Sequence, residues 1–206
     1  MIELLNIDCM EYMATCKDKQ FDLAIVDPPY GIGANKEKPH NGWADWGIKQ
    51  WDNNSPNKNY FDELLRISKH QIIWGANHFI SKIPYDSSGW IVWDKGQRDF
   101  SLADGELAWT DLNKALRIYT YSRAKALQEG KIHPTQKPIQ LYKWLLANYA
   151  TPDMKIIDTH LGSGSSAIAA YDFGCDFVGC EIDKEYYESA KHRFETYKLQ
   201  TKLCFT

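Results

Sequence analysis

Two short stretches of the chain combine residue types that chemistry needs. Asp27-Pro28-Pro29-Tyr30 follows the largely apolar run Phe21–Val26. Proline fixes its backbone torsion and carries no N–H, so carbonyls here face outward without competing donors. The Asp27 carboxylate and the Pro28 carbonyl then make a rigid cluster of acceptors, and Tyr30 adds a flat ring beside it. Such a cluster suits a planar ring bearing an exocyclic amino group, which offers two N–H donors and a stacking surface. The same four residues also read as a proline turn in which Asp27 is a local cap.

The second stretch is Asp158-Thr159-His160-Leu161-Gly162-Ser163-Gly164-Ser165-Ser166-Ala167, where an apolar strand runs into a glycine turn and then a helix. Gly162 and Gly164 let the backbone turn tightly and approach a ligand closely. Glu181 lies 19 residues after Gly162, at the end of the next strand. A carboxylate there accepts both hydroxyls of a ribose. This pattern fits a dinucleotide as well as an S-adenosylmethionine site, and a glycine pattern by itself also serves as a ligand-free turn.

Regular elements must hold these residues. Strands are expected at Met1–Asn6, Phe21–Val26, Gln71–Trp74, Trp90–Trp93, Glu106–Trp109, Arg117–Thr120, Lys155–Ile157 and Phe177–Cys180. Helices are expected at Asp8–Cys16 with Asp8 as its cap, at Tyr60–Ser68, and at Thr135–Tyr149 with Pro138 in the first turn. Two more are expected at Ser165–Phe173, stopped by Gly174, and at Lys184–Tyr197. Alternating strands and helices imply an α/β fold with a mostly parallel sheet, in one domain spanning residues 1–206. Phe21–Val26, apolar but for Asp22, reads as a strand buried on both faces.

Two segments show no regular pattern. Gly31–Asn59 is long and polar yet holds Trp43, Trp46 and Trp51. A loop of that length is functional or mobile, and its tryptophans either stack on a partner or anchor the loop to the core. Ser122–His133 is shorter and basic. Between Asn113 and Lys143 stand seven Lys and Arg residues against one acid, Glu129, a local charge of +6. The whole chain has 24 Lys and Arg against 27 Asp and Glu in 206 residues, a net charge of −3. Charge is therefore segregated. A hydrophobic fraction of 44% excludes a disordered chain, and the odd count of five cysteines, none as Cys-x-x-Cys, points to reduced thiols rather than a disulfide framework or a zinc site. No run approaches the roughly 20 apolar residues of a membrane span. Met1–Leu5, interrupted by Glu3, is too short for a signal core. The expectation is a cytoplasmic protein without membrane contact or metal.

Taken together, Asp-Pro-Pro-Tyr, then His133-Pro134-Thr135-Gln136-Lys137-Pro138, then Asp158-x-x-x-Gly162-Ser163-Gly164 resembles the amino-methylating DNA methyltransferases. That family modifies adenine N6 or cytosine N4 with S-adenosylmethionine. The order of the three motifs is similar to its circularly permuted beta group, and Asp-Pro-Pro-Tyr is more typical of its adenine-N6 members. The resemblance implies a Rossmann-like methyltransferase fold with helices on both faces of the sheet. It implies that Asp27, Pro28, Pro29 and Tyr30 form the catalytic cluster, with Asp27 also bordering the cofactor. Asp158, Gly162, Ser163 and Gly164 would hold the methionine part of the cofactor, Glu181 its ribose, and Asp8 its adenine. Lys137, expected in the first turn of its helix, resembles the family lysine near the cofactor. Thr159, His160 and Ser165 stand where the family commonly has Pro, Phe and Thr. His160, either a proton carrier or a packed ring, is placed at the cofactor.

A separate recognition region, usual between the core and the lysine–proline segment, is missing. Contacts to double-stranded DNA are therefore assigned to Trp43, Trp46, Arg117, Arg123, Lys125, Lys131 and His133, and a homodimer would extend so small a surface. Lys and Arg contacts to phosphate give affinity without sequence information. Cytosine-N4 methylation keeps the same chemistry. A nicotinamide-dependent oxidoreductase fits the glycine loop and Glu181 but leaves Asp-Pro-Pro-Tyr unexplained. A non-catalytic DNA-binding module leaves the glycine loop unexplained.

Overall fold

The computed structural model describes residues 1–33, 52–83, 86–98 and 103–203. The chain begins with β1 (Ile2–Asn6), α1 (Cys9–Thr15) and β2 (Phe21–Val26). Then come α2 (Lys58–Ile67), β3 (Ser68–Trp74), a 3-10 turn at Ala76–His78, β4 (Trp90–Asp94), β5 (Gly105–Thr110) and β6 (Arg117–Thr120). The rest is α3 (Arg123–Gln128), α4 (Ile139–Tyr149), β7 (Lys155–Asp158), α5 (Ser165–Phe173), β8 (Asp176–Glu181) and α6 (Lys184–Leu203). All eight strands form one sheet in the order β1-β8-β7-β2-β3-β5-β4-β6, in which β5 alone runs antiparallel to its neighbours. This is the expected α/β architecture.

Alternation along β2 divides the core. Leu23 and Ile25 face the layer built by α4, α5 and α6, whereas Ala24 and Val26 face α1 and α2. Both faces being covered explains why β2 is apolar but for Asp22, which is half-buried and paired with Lys69. Helix α5 presents Ala167, Ala169 and Ala170, small enough to lie close on the sheet, and ends at Gly174. At its start Gly164 has φ +73°, and a Cβ there would come within 3.3 Å of the Ala190 backbone on α6. Helices α5 and α6 thus approach through a position only glycine fills well.

Of the differences from the sequence expectation, two bear on the site. Ser122–His133 is not wholly irregular, since Ser122 caps the short helix α3. Helix α4 starts at Ile139, and Pro138 stands before it as the cap rather than inside its first turn. The reason is steric: a residue preceding proline is pushed out of the helical region, so Lys137 cannot be helical ahead of Pro138. Lys137 consequently sits on an extended loop, braced where Gln136 Oε1 accepts from the Ile132 amide at 3.0 Å and Glu129 Oε2 from the Ile139 amide at 2.7 Å.

Candidate active site

The chain leaves β2 towards β3 on one side and leaves β7 towards β8 on the other, while β2 and β7 lie side by side. The connections diverge at the carboxyl ends of these two strands, which opens a crevice there, the place where open α/β sheets bind ligands. A cavity of about 310 Å³ occupies it. Its walls are Asp27 and Pro29 after β2, Thr159 to Ser163 after β7, Glu181 after β8, Asp8 after β1, and the loop carrying His133 and Lys137. The three motifs, far apart in sequence, thus border one volume.

On the β7–β8 side the wall is built for a polar ligand. Glu181 accepts from the Gly162 amide at 2.8 Å and the Asp183 amide at 3.0 Å, one on each carboxylate oxygen. A carboxylate has about four lone-pair sites, so two remain for a diol. A Cβ on Gly162 would point at the His133 ring 3.8 Å away, narrowing the gap between loop and ring. Asp8 caps α1 through Oδ1, which accepts from the Met10 amide at 2.7 Å, and also lines the cavity. It is a helix cap and a wall residue at once. Ser163 borders the cavity, and its carbonyl accepts from Arg193 at 2.9 Å.

Asp158 and Gly164 are placed differently from the expectation that they hold a ligand. Neither borders the cavity. Asp158 is buried beneath the loop, where it accepts from Ser166 Oγ at 2.6 Å and from the His160 amide at 3.0 Å. It ties the loop to α5, and burial pushes its carboxyl up to about 7. Gly164 serves the packing against α6 described above. His160 does border the cavity, with its ring edge-on to Tyr60 and Nδ1 3.0 Å from Thr159 Oγ1. Burial lowers it to about 4, so the ring is neutral near pH 7.

At the β2 side, four charged or phenolic groups converge. Lys137 Nζ lies 2.5 Å from Asp27 Oδ2, 3.0 Å from Glu106 Oε2 and 3.1 Å from the Tyr30 hydroxyl. The single phenolic proton of Tyr30 is shared between Asp27 Oδ1 at 2.8 Å and Glu106 Oε2 at 3.1 Å. Glu106 Oε1 is paired with Lys95 at 2.7 Å. Two acids and two lysines balance, which is what allows charges to be buried here. Burial works to lower Lys137, but Asp27 and Glu106 outweigh it and raise its ammonium. At Glu106 burial raises the carboxyl, yet Lys137 and Lys95 hold it down at about 2. Burial prevails at Asp27, whose carboxyl is raised against the pull of Lys137.

Lys137 is therefore a buried cation at the acidic cluster, neither exposed nor helical. Pro28 is buried. Tyr30 is not an open stacking platform: His78 stacks on its ring at 5.0 Å and Phe79 meets it edge-on. Its hydroxyl, rather than its face, reaches the cluster.

His133, expected at the DNA surface, is instead 9% exposed, packed at 4.4 Å against the Tyr186 ring on the cavity wall, and lowered by burial to about 3. Arg117 and Lys125 are exposed, and Arg123 and Lys131 half-buried. The local charge of +6 is not one patch, because Lys137 is spent on Asp27 and Glu106, and Lys143 on Asp172 at 2.5 Å. Trp43, Trp46 and Trp51 lie outside the described residues. Sequence reasoning missed Glu106, Lys95 and Tyr60. The one signal for Glu106 was an acid inside an otherwise apolar strand.

The DNA methylase family model N6_N4_Mtase matches residues 73–192, more than half of the chain. Type II methyltransferase M2.DpnII of Streptococcus pneumoniae is 25% identical over 93% of this chain and 89% of its own. The putative methylase YubD of Escherichia coli K12 is 24% identical over 94% and 90%. Among solved structures, the M1.HpyAVI–SAM complex superposes with a TM-score of 0.62 at 23% identity, covering 94% of this chain and 100% of that one. PvuII DNA methyltransferase (cytosine-N4-specific) superposes at 0.64 with 12% identity over 94% and 86%. These two structural likenesses establish the fold. With the family match across most of the sheet and the motifs gathered at one crevice, the chain belongs to the N6/N4 DNA methylase family.

Proposed function

We propose that the protein transfers a methyl group from S-adenosylmethionine to the N6 amino group of an adenine flipped out of DNA. The observation that carries this reading is one crevice with the Glu181 carboxylate, suited to a ribose diol, on one wall and the Asp27 cluster on the other. When bound, S-adenosylmethionine supplies an electrophilic methyl group on a sulfonium; related folds hold that cofactor in the M1.HpyAVI–SAM complex and in TTHA0409 of Thermus thermophilus complexed with S-adenosyl-L-methionine. Glu181, Asp8 and the Thr159–Ser163 loop are the residues that would hold it.

The amino group of an aromatic ring is a weak nucleophile because its lone pair is delocalised. Asp27 uses one lone-pair site on each oxygen for Tyr30 and Lys137, which leaves sites for an N–H donor. Such a bond favours a pyramidal nitrogen with a localised lone pair. Orienting that nitrogen in line with the methyl group is worth roughly 7–11 kcal/mol at best. As the N–C bond forms and the S–C bond breaks, the nitrogen must shed a proton. Asp27, raised by burial, is placed to take it and pass it to solvent. Flipping the base costs a few kcal/mol, repaid by contacts in the crevice.

Basic side chains are supplied from the correct edge of the sheet. β4 and β6 run parallel to each other and both point the same way as β2, so the segment after β6, with Arg123, Lys125 and Lys131, leaves from the edge at which the crevice opens.

The test is methyl transfer from labelled S-adenosylmethionine to unmethylated genomic DNA, followed by nucleoside mass spectrometry. N6-methyladenine is the expected product. N4-methylcytosine would assign the second specificity, which the likeness to the PvuII enzyme favours. Absence of both products would overturn the reading.

A further inference from the structure

We propose that the cavity reads the adenine ring of its cofactor with a donor and an acceptor on its lining, His160 Nε2–H and Asp8 Oδ2, and that Tyr60 and Thr159 set the histidine to donate. This rests on the cofactor reading above and goes beyond it, because it assigns a role to a histidine at a position where the family resemblance has phenylalanine.

The argument is a count of protons. Tyr60 is 3% exposed and Thr159 2% exposed, and their hydroxyl oxygens lie 2.6 Å apart. Thr159 Oγ1 is in turn 3.0 Å from His160 Nδ1. Each hydroxyl has one proton. Among the described residues, Thr159 Oγ1 is the acceptor within reach of the buried Tyr60 proton. If Thr159 donated to Tyr60 instead, the phenolic proton would be buried with no acceptor, which is costly. Tyr60 therefore donates to Thr159. Thr159 must then send its own proton to Nδ1, which fixes Nδ1 as the acceptor and puts the ring proton on Nε2. Tyr60 also holds the ring in place, edge-on at 5.4 Å.

With Nδ1 committed, Nε2–H is the remaining polar group of a ring that borders the cavity. Asp8 borders the same cavity and is near enough to act electrostatically on that ring. Its Oδ1 is committed to the Met10 amide as the α1 cap, and among the described residues no hydrogen bond reaches Oδ2. Among the described residues' hydrogen bonds none joins Asp8 to His160, so neither group is spent on the other. An acceptor and a neutral donor lining one cavity offer the complement of an adenine edge, where an amino group adjoins a ring nitrogen that accepts. A neutral ring bearing its proton on Nε2 donates to such a nitrogen without bringing a charge into the site. A phenylalanine here has no donor to offer.

The test is calorimetric binding of S-adenosylhomocysteine and of its 1-deaza and 7-deaza analogues to the wild type, His160→Phe, His160→Gln and Thr159→Val. The wild type is expected to bind one deaza analogue about tenfold more weakly than the parent, and which one it is identifies the nitrogen. His160→Phe should bind the parent about tenfold more weakly and no longer distinguish that analogue. His160→Gln, which keeps an N–H donor, should restore part of the distinction, and Thr159→Val should weaken it. A residue that merely packs would lower all three affinities together. Equal affinity of the wild type for parent and both analogues would overturn the inference without any variant, as would undiminished distinction in His160→Phe. A wild type that binds no S-adenosylhomocysteine would overturn the cofactor reading and this inference with it.

Discussion

Asp27 is held by two partners before any substrate arrives, Tyr30 on one oxygen and Lys137 on the other. Asp27→Asn keeps the shape but exchanges an acceptor for a donor. It is expected to lower methyl transfer by at least ~10²-fold while affinity for S-adenosylhomocysteine stays within about threefold, measured by single-turnover transfer and by calorimetry. Asp158 makes a different prediction. Its carboxyl is raised by burial from 3.8 to about 7, so the folded state binds that proton more tightly than the unfolded chain. The resulting stabilisation is complete below the unfolded value and is lost as pH rises towards the folded one. Without ligand, the stability difference between the wild type and Asp158→Asn should therefore decline from about pH 4 to about pH 7. The slope is at most about 1.4 kcal/mol per pH unit, with no further change above that range. Denaturant titrations across the range would read it, and a flat difference would show that Asp158 is ionised throughout.

Elements place these residues through backbone geometry more than through the side chains themselves. Gly75, between β3 and the 3-10 turn, has φ +68°, and a Cβ there would fall 2.1 Å from the Tyr30 ring. The turn after β3 thus sets where the Tyr30 hydroxyl reaches. Gly75→Ala is expected to displace that ring from Asp27 and reduce kcat on the order of 10²-fold, with cofactor affinity little changed. The left-handed backbone adds a stability loss of about 1–2 kcal/mol, readable in thermal denaturation. Normal turnover in this variant would mean that Tyr30 does not organise the cluster. Most element positions were legible from apolar runs and turn residues, β2 above all. The start of helix α4 was not placed correctly, because the expectation put Pro138 inside the first turn whereas the steric rule at Lys137-Pro138 keeps Lys137 out of the helix.

At the scale of the molecule, a net charge of −3 requires DNA affinity to come from a local surface. Lys137 and Lys143 are ion-paired, whereas Lys114, Arg117 and Lys125 are exposed. Lys125→Ala and Arg117→Ala are each expected to reduce the slope of log affinity against log salt by about 1, uniformly across DNA sequences. Fluorescence anisotropy at several salt concentrations would measure it, and an unchanged slope in both would place the DNA elsewhere. Among the described residues no helix is long and apolar enough to cross a membrane.

The alternation of strands and helices, the acid and prolines at the end of an apolar strand, and the glycine turn ahead of a helix are local patterns, and the sequence by itself determined them. Periodicity and turn chemistry act over a few residues, so they can be read without the fold. The family resemblance rested on the same local motifs. What only the tertiary structure decided is which distant groups meet. Lys137 reaches Tyr30 across 107 positions and Tyr60 reaches Thr159 across 99. The divergence of the chain at β2 and β7 turns three separate motifs into one crevice. It also buries His133 on the cavity wall and brings Glu106 against Lys137. Burial and charge pairing depend on neighbours that the fold supplies, and that is why the sequence puts Lys137 only near the cofactor whereas the structure shows it at the centre of the acidic cluster.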